Sequence, residues 1–256
     1  MESKKQTIDK HFVSACFGKA IGTYDKNAIV QKGVAATLAA LMRQADFPRG
    51  ASIYEVGAGT GIMTAKLYGE FAPRRAVAND LCWGCADTVS RASEGRAEFL
   101  LGDAEALPAP EGIDAVVSCS TVHWFENKAA FFMKITDALP SGSFLAFSTF
   151  GPGNLREMRE LGMVGLEYDS ADEYDVMLKK AGFRIIAATD TEERLFFPDT
   201  RALLTHIRAT GVGGVRHDKW DISATMRFSH AYELRFRDAR GLALTYHPLC
   251  FVCVKI

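Results

Sequence analysis

The sequence has no long hydrophobic run, few cysteines and almost no net charge, and each absence excludes a class of protein. No window approaches the roughly 20 consecutive apolar residues that a membrane-spanning helix needs. Six cysteines in 256 residues are too sparse for a disulfide scaffold. Thirty basic and 31 acidic residues give a net charge of -1, which argues against a dedicated nucleic-acid binder or an anionic membrane partner. The first ten residues are polar and lack the features of a secretory signal, so we expect a soluble, cytoplasmic protein.

Hydrophobic residues make up 48% of the chain, and between residues 51 and 149 they form short apolar runs that alternate with helix-like stretches. Because the runs are too apolar to face water on either side, this alternation predicts an α/β fold in which helices cover both faces of a parallel sheet. The predicted strands are 51–56, 75–79, 97–101, 113–119 and 143–149, and the predicted helices between them are 62–71, 82–93 and 128–138.

The segments on either side of this core are predicted to be lid elements of one domain. Helical spacing over residues 7–45 predicts two helices with a break around residues 21–26. The later part is predicted as a helix over 172–181, one long strand over 183–197, a helix over 199–210, a polar insertion over 212–240 and a final strand over 242–254. The expected divisions are an N-terminal helical lid (1–47), a sheet core (48–198), a helical insertion (199–241) and the final strand (242–256).

A glycine-rich turn between the first strand and the next helix predicts a nucleotide or nucleoside site. Gly57, Gly59 and Gly61 allow positive φ and a close approach of ligand to backbone, although they could also simply make a tight connection. The dinucleotide fingerprint fails because Ile62 stands where its third glycine should be. Glu55 would repel a pyrophosphate and attract a cation, and S-adenosylmethionine carries both a sulfonium and an ammonium.

Two further carboxylates follow later strands and fit the rest of a nucleoside. Asp80 ends the second strand, where a carboxylate can accept from both ribose hydroxyls, with Leu81 beside it. Asp80 could equally cap the following helix. Asp103 follows the third strand and could accept from an adenine amino group, while the Ala104 amide donates to the ring.

These motifs, taken in order, resemble those of class I S-adenosylmethionine-dependent methyltransferases. The matching segments are Glu-Val-Gly-Ala-Gly-Thr-Gly at 55–61, Asp80, Gly-Asp-Ala-Glu-Ala-Leu-Pro at 102–108 and Ile-Asp-Ala-Val-Val-Ser at 113–118. The resemblance implies a Rossmann-like sheet of seven mostly parallel strands whose last strand is antiparallel. It also implies S-adenosylmethionine as the methyl donor, S-adenosylhomocysteine as its product, and contact between the cofactor and Ser120, which follows the fourth strand.

A second resemblance covers nearly the whole chain and concerns the malonyl-acyl-carrier-protein O-methyltransferases of biotin synthesis. The matching segments are Phe-Gly-Lys-Ala at 17–20, Tyr24, Gln31, Val-His-Trp-Phe at 122–125, residues 145–155, Arg-Ala-Thr-Gly-Val at 208–212 and Leu-Thr-Tyr at 244–246. This likeness implies methylation of the free carboxylate of a malonyl group held on acyl carrier protein, or of malonyl-CoA. Tyr24 would then close over cofactor and acceptor, and His123 and Trp124 would line the acceptor pocket, although all three could simply be packing residues.

The sequence contains no Ser-His-Asp, Cys-His or paired-carboxylate constellation, and the implied reaction needs none. A carboxylate with a pKa near 4 is ionised at neutral pH, so positioning replaces a general base and no catalytic side chain is assigned. A fixed donor should hold the dehydrated carboxylate, and Arg156 and Arg159 follow the fifth strand at the edge where ligands bind. They could equally be solvated charges beside Glu157 and Glu160.

An acidic carrier protein requires a local basic face on this otherwise neutral chain. Two sets of basic residues could supply it: Lys4, Lys5, Lys10 and Lys19, or Arg201, Arg208, Arg216 and Lys219.

Other functions remain open at this stage. A methyltransferase acting on another carboxylate, a hydroxyl or a carbon would carry the same cofactor motifs, as would a non-catalytic module that binds S-adenosylmethionine. The two Cys-x-x-Cys pairs, at 82–85 and 250–253, do not predict zinc, because strand periodicity points Cys250 and Cys253 to opposite faces.

Overall fold

The computed structural model describes residues 8–162, 165–210 and 221–256. The α-helices are α1 (Lys10–Asn27), α2 (Ile29–Gln44), α3 (Ile62–Lys66), α4 (Ala86–Ala92), α5 (Lys128–Ala138), α6 (Arg156–Glu160), α7 (Ala171–Lys180), α8 (Thr200–Ala209) and α9 (Ile222–Phe236). The strands are β1 (Ser52–Val56), β2 (Arg75–Asp80), β3 (Glu98–Leu101), β4 (Ala115–Ser118), β5 (Phe144–Phe150), β6 (Phe183–Asp190), β7 (Glu193–Phe197), β8 (Arg237–Asp238), β9 (Gly241–Tyr246) and β10 (Pro248–Lys255). A π-helical turn, Leu67–Phe71, continues α3.

Seven strands form the central sheet in the order β3-β2-β1-β4-β5-β10-β6. Neighbouring strands are parallel except that β10 runs antiparallel to β5 on one side and to β6 on the other. The prediction of a seven-stranded sheet with an antiparallel last strand is confirmed. The order reverses at β1, whose neighbours are β2 and β4, and ligands of open α/β sheets bind at such a switch point.

Successive side chains of a strand point to opposite sides, and helices cover both faces of the sheet, so both faces are buried. Ile53 and Val117 contribute to a core that also contains residues of α2, α3, α8 and α9. Tyr54 and Val116 contribute to a second core with residues of α5 and α7. Since helices fill the two faces, we expect the ligand site at the carboxyl ends of the strands, next to this switch point.

Two segments predicted as single strands are each divided between two sheets. The predicted strand over 183–197 is β6 in the central sheet and β7 in a second sheet of order β7-β9-β8. The predicted strand over 242–254 is likewise β9 followed by β10. Each of these two predictions was wrong, because the backbone changes sheet at the short turns at 191–192 and at His247.

The helical breaks also differ from the predicted ones. α1 continues through the region 21–26 and ends at Asn27, and the Ala28 amide donates to the Tyr24 carbonyl at 2.8 Å. Gly22 lies on the exposed side of α1, and one glycine costs a helix only about 1 kcal/mol relative to alanine, too little to break it. Part of the predicted polar insertion, 222–236, is the helix α9, whose Phe228 and Tyr232 are buried in the core, and residues 212–220 lie outside the described residues.

None of the helices in the described ranges combines the length and the apolar character needed to cross a membrane.

Candidate active site

A cavity of about 1070 Å³, part of it open to solvent, lies at the carboxyl ends of β1, β2 and β4. Val56 ends β1, Asp80 ends β2 and Cys119 follows β4, and all three line the cavity. One face of α1 forms another wall. The volume is that of a pocket for a small organic ligand.

The glycine turn forms the floor of the cavity, and its first two glycines have different roles. A Cβ on Gly57 would lie 2.1 Å from the Thr121 Oγ1 atom, so no larger residue fits beside the loop that follows β4. A Cβ on Gly59 would meet nothing within 4 Å, and the position, at a φ of +55°, is open to a ligand. Gly61 does not line the cavity; a Cβ there would lie 2.6 Å from the Ala92 Cβ, so Gly61 instead lets α4 approach.

Asp80 is fixed by backbone amides at the edge of the cavity. Its two carboxylate oxygens accept from the Gly59 and Cys82 amides, each at 2.8 Å. Burial raises the pKa of Asp80, and these amide hydrogen bonds oppose the shift. The carboxylate therefore both shapes the local turn and keeps lone pairs for a ligand beside Leu81, which lines the same cavity.

Asp103 and Ala104 line the end of the cavity beyond β3, where a lysine of α1 reaches them. The Lys10 ammonium lies 2.6 Å from the Asp103 carboxylate and also binds Glu105. This pairing removes Lys10 from the first predicted basic face, and Lys4 and Lys5 of that set lie outside the described residues. The ion pairs hold the beginning of α1 across the cavity.

Glu55 is buried beneath the glycine turn and does not line the cavity. Its side chain is 1% exposed. One carboxyl oxygen accepts from the Thr64 hydroxyl at 2.7 Å, and the other has no partner among the described residues. Burial raises the pKa of Glu55 to about 8, so without a ligand the carboxyl is mostly neutral at pH 7. A nearby cation would favour the ionised form that the sequence suggested.

Aromatic side chains from α1 and from the loop after β4 form one wall of the cavity. Tyr24 and Phe17 of α1 have ring centroids 6.1 Å apart, and Phe17 meets Trp124 edge to face at 5.9 Å. All three line the cavity, as does Ser120, whose amide donates to the Ser148 hydroxyl. Aromatic faces of this kind attract cations such as a sulfonium.

His123 does not line the cavity; it is buried next to Trp124. Its ring lies 5.4 Å from Trp124 and 5.1 Å from Phe150, centroid to centroid. Burial lowers the pKa of His123 to about 3, so the imidazole is neutral at pH 7. Its role in the acceptor pocket stays a prediction, and its contacts are those of a packing residue.

The two arginines assigned to the acceptor are not brought to the cavity. Arg156 donates to Glu192 at 2.8 Å. Arg159 donates to the Pro152 carbonyl, and its guanidinium lies over the Tyr168 ring, 5.8 Å from the centroid.

Sequence reasoning assigned only one α1 residue to the site, although a whole face of that helix lines the cavity. The lining positions are Lys10, Val13, Ser14, Phe17, Ile21 and Tyr24. Their spacing of three and four residues is that of one helical face. The missed signal was this spacing, which mixes the polar Lys10 and Ser14 with apolar residues and so does not stand out as a hydrophobic face. Gln31 of α2 also lines the cavity and entered only as a point of resemblance.

The comparisons with known proteins agree with this geometry. Residues 54–147 match the family described as "Methyltransferase domain". The magnesium protoporphyrin IX methyltransferase of Synechocystis, a structure with S-adenosylhomocysteine bound, superposes with a TM-score of 0.54 at 14% identity, over 88% of this chain and 83% of that one. At that identity the likeness shows the fold alone.

Curated relatives are more similar in sequence. A malonyl-[acyl-carrier protein] O-methyltransferase of Bacteroides fragilis is 36% identical over 96% of this chain, which spans 50% of that protein's length. A protein of the same description from Bacteroides thetaiotaomicron is 32% identical, with 97% of this chain and 99% of that protein covered. The chain therefore belongs to the family of malonyl-[acyl-carrier protein] O-methyltransferases.

Proposed function

We propose that this protein transfers the methyl group of S-adenosylmethionine to the free carboxylate of malonyl-acyl carrier protein or malonyl-CoA. The ester that results would begin pimeloyl and biotin synthesis. The observation that carries the proposal is one cavity in which Gly59, Asp80 and Asp103 face an aromatic wall containing Tyr24 and Trp124, in a chain similar to this family over nearly its full length.

The residues at the cavity fit the cofactor part by part. Asp80 offers acceptors for the ribose hydroxyls, and Asp103 with the Ala104 amide suits the adenine edge. Gly57 and Gly59 let the methionine part approach the backbone, with Ser120 on the other side and Leu81 next to the ribose. The unpartnered oxygen of buried Glu55 would be compensated by a cationic group above it.

S-adenosylmethionine, when bound, supplies a methyl group on a positively charged sulfur. The chain positions the cofactor and the acceptor and excludes water from them. The acceptor is already ionised, so no side chain has to remove a proton. Tyr24, Phe17 and Trp124 exclude water from the reacting end, which strengthens every electrostatic contact there.

The carrier protein would dock beside α1. A surface groove, which we call the α1–α8 groove, is lined by the basic residues Lys26 and Arg201 and by one acidic residue, Asp199, whose carboxylate caps α8. Arg201 and Arg208 are seven residues apart and exposed on α8, and neither pairs with an acidic group among the described residues. Such a face suits the acidic surface of acyl carrier protein. Of the second predicted basic set, Arg216 and Lys219 lie outside the described residues.

We place the reaction in the cytoplasm, because all six cysteines are free thiols, as expected in a reducing compartment. Two other functions stay open to test: transfer to another small carboxylate, hydroxyl or carbon, and binding of the cofactor without catalysis.

Mass spectrometry tests the proposal directly. Malonyl-acyl carrier protein incubated with the protein and S-adenosylmethionine should gain one methyl group. Asp80→Ala is the control variant and should lose most cofactor affinity and product. Methylation of free diacids with none of the carrier-bound malonyl would favour a different acceptor, and no transfer to any acceptor would favour the non-catalytic module.

A further inference from the structure

Gln31 is a buried polar residue on an otherwise apolar helix face. Its side chain is 6% exposed, and its neighbours Val30 and Val34 pack into the core. The Gln31 Oε1 atom has no hydrogen-bond partner among the described residues. Burying an amide group without a partner costs about 1 to 3 kcal/mol, so the chain carries this residue at the expense of stability.

Gln31 lies where a ligand could satisfy it. It lines the cavity together with Tyr24, Cys119 and Ser120. Cys119 and Ser120 follow β4, whereas Asp103 follows β3, and two strands of the sheet separate β4 from β3. The adenosine part of the cofactor is assigned to Asp80 and Asp103, which leaves the Gln31 side of the cavity for the reacting end.

The acceptor carboxylate needs a donor in that part of the cavity, and no free cation lines it. Among the described residues, Lys10 is the one cationic side chain in the cavity wall, and its ammonium is already bound by Asp103 and Glu105. Arg156 and Arg159 do not line the cavity. A neutral donor is therefore the available choice.

We propose that the carboxamide of Gln31 binds the carboxylate of the acceptor and sets its orientation toward the methyl donor. The inference rests on the proposed function, since it assigns the residue that recognises the acceptor's negative end. A carboxamide has an oxygen acceptor at one end and an NH₂ donor at the other. A half-turn about the last side-chain bond therefore brings the Nε2 donor to the position of the unpartnered Oε1 atom.

A neutral donor also suits the chemistry better than a cation does. The acceptor loses its negative charge as it becomes an ester. A guanidinium beside it would stabilise the charged starting state more than the transition state and so slow the reaction. An amide fixes the geometry with less of that penalty. It also discriminates against the uncharged ester product less strongly than an arginine would.

Steady-state kinetics with malonyl-acyl carrier protein and calorimetric titration of S-adenosylhomocysteine test the inference on three variants. Gln31→Met removes the donor but keeps the length, and Gln31→Glu replaces it with an anion. Gln44→Glu adds the same charge at an exposed position of the same helix and is the matched control. We expect Gln31→Met to lower kcat/KM roughly 10- to 100-fold, the loss of a hydrogen bond to a charged group.

Gln31→Glu should lower kcat/KM further, because the anion repels the acceptor, and activity should recover as falling pH protonates the new carboxyl. Cofactor affinity should change less than about threefold in both variants, and Gln44→Glu should match the wild type. Gln31→Met should also unfold at the same or a higher temperature than the wild type, because it removes an unpartnered buried group. A purely structural role predicts lower stability and no recovery at low pH.

Three results would overturn the inference. The first is unchanged acceptor kinetics in both Gln31 variants while the wild type methylates malonyl-acyl carrier protein. The second is a loss of cofactor affinity as large as the loss of kcat/KM, which would assign Gln31 to the cofactor. The third is a fall in kcat/KM for the acceptor in Arg159→Ala without such a fall in Gln31→Met, which would assign binding of the carboxylate to Arg159. A wild type that methylates no malonyl thioester would instead defeat the proposed function, and this inference with it.

Discussion

Glu55 makes the stability of the cofactor-free protein depend on pH. Its pKa is about 8 in the folded protein, because of burial, against a usual 4.5. Between these values the unfolded chain releases a proton that the folded protein retains, so the free energy of unfolding falls as pH rises, by up to roughly 1.4 kcal/mol per pH unit. Gln cannot ionise, so Glu55→Gln should match the wild type near pH 5 and be the more stable protein at pH 8.

Urea denaturation at pH 5 and pH 8 measures this difference. The exposed substitution Glu111→Gln is the control and should show no such trend. Parallel pH dependence in Glu55→Gln and the wild type would mean that Glu55 is ionised in the folded state already.

Single residues differed in how far the sequence revealed them. Gly57, Gly59 and Asp80 belong to short motifs at strand ends, where a local pattern places them at the cavity. The Lys10 and Asp103 pair joins positions 93 apart in the chain, and no local pattern reports such a contact. Likewise, no local pattern reports that the Gln31 Oε1 atom lacks a hydrogen-bond partner among the described residues, because this depends on the whole folded structure.

At the scale of elements, α1 forms one wall of the cavity, and polar contacts as well as apolar ones hold it there. Besides the Lys10 ion pairs, the Ser14 hydroxyl donates to the Leu81 carbonyl, and the Thr60 hydroxyl donates to Asp25 at 2.7 Å. Lys10→Ala removes the first of these contacts. It should speed dissociation of S-adenosylhomocysteine roughly 3- to 10-fold, as expected for a partly buried ion pair worth about 1 kcal/mol.

Stopped-flow dissociation and hydrogen exchange of the α1 amides measure this effect. Lys19→Ala, an exposed lysine on the same helix without an ion pair in the described ranges, should leave both unchanged. Equal hydrogen-exchange rates of the α1 amides in Lys10→Ala and Lys19→Ala would show that the Lys10 ion pairs do not hold α1.

Elements whose ends carry turn signals were predictable, and elements divided by a change of sheet were not. α5 has the predicted bounds, and its N-cap, Asn127, accepts from the Ala130 amide. The segment that holds β6 and β7 has no glycine or proline where the two strands divide, and pairing with β10 and with β9 is what separates them. A local sequence pattern carries no information about which strand will be the partner.

At the scale of the whole molecule, a nearly neutral chain has to attract an acidic carrier through local charge. Reversing the charges in Arg201→Glu/Arg208→Glu should raise KM for malonyl-acyl carrier protein at least tenfold at low salt, and the effect should shrink as salt screens it. KM for malonyl-CoA should change little. Initial rates across a salt series give both values.

Lys180→Glu on α7 is the control, because α7 packs on the opposite face of the sheet. If both charge reversals raised KM alike, the docking face would lie elsewhere on the molecule.

The position of β10 makes the central sheet depend on one late segment of the chain. This strand follows the other six in the chain yet lies in the interior of the sheet, between β5 and β6. β6 has no other neighbour in that sheet, so without β10 the facing edges of β5 and β6 would both be unpaired. A chain truncated before Pro248 would therefore leave the sheet in two pieces, and its open strand edges would invite aggregation.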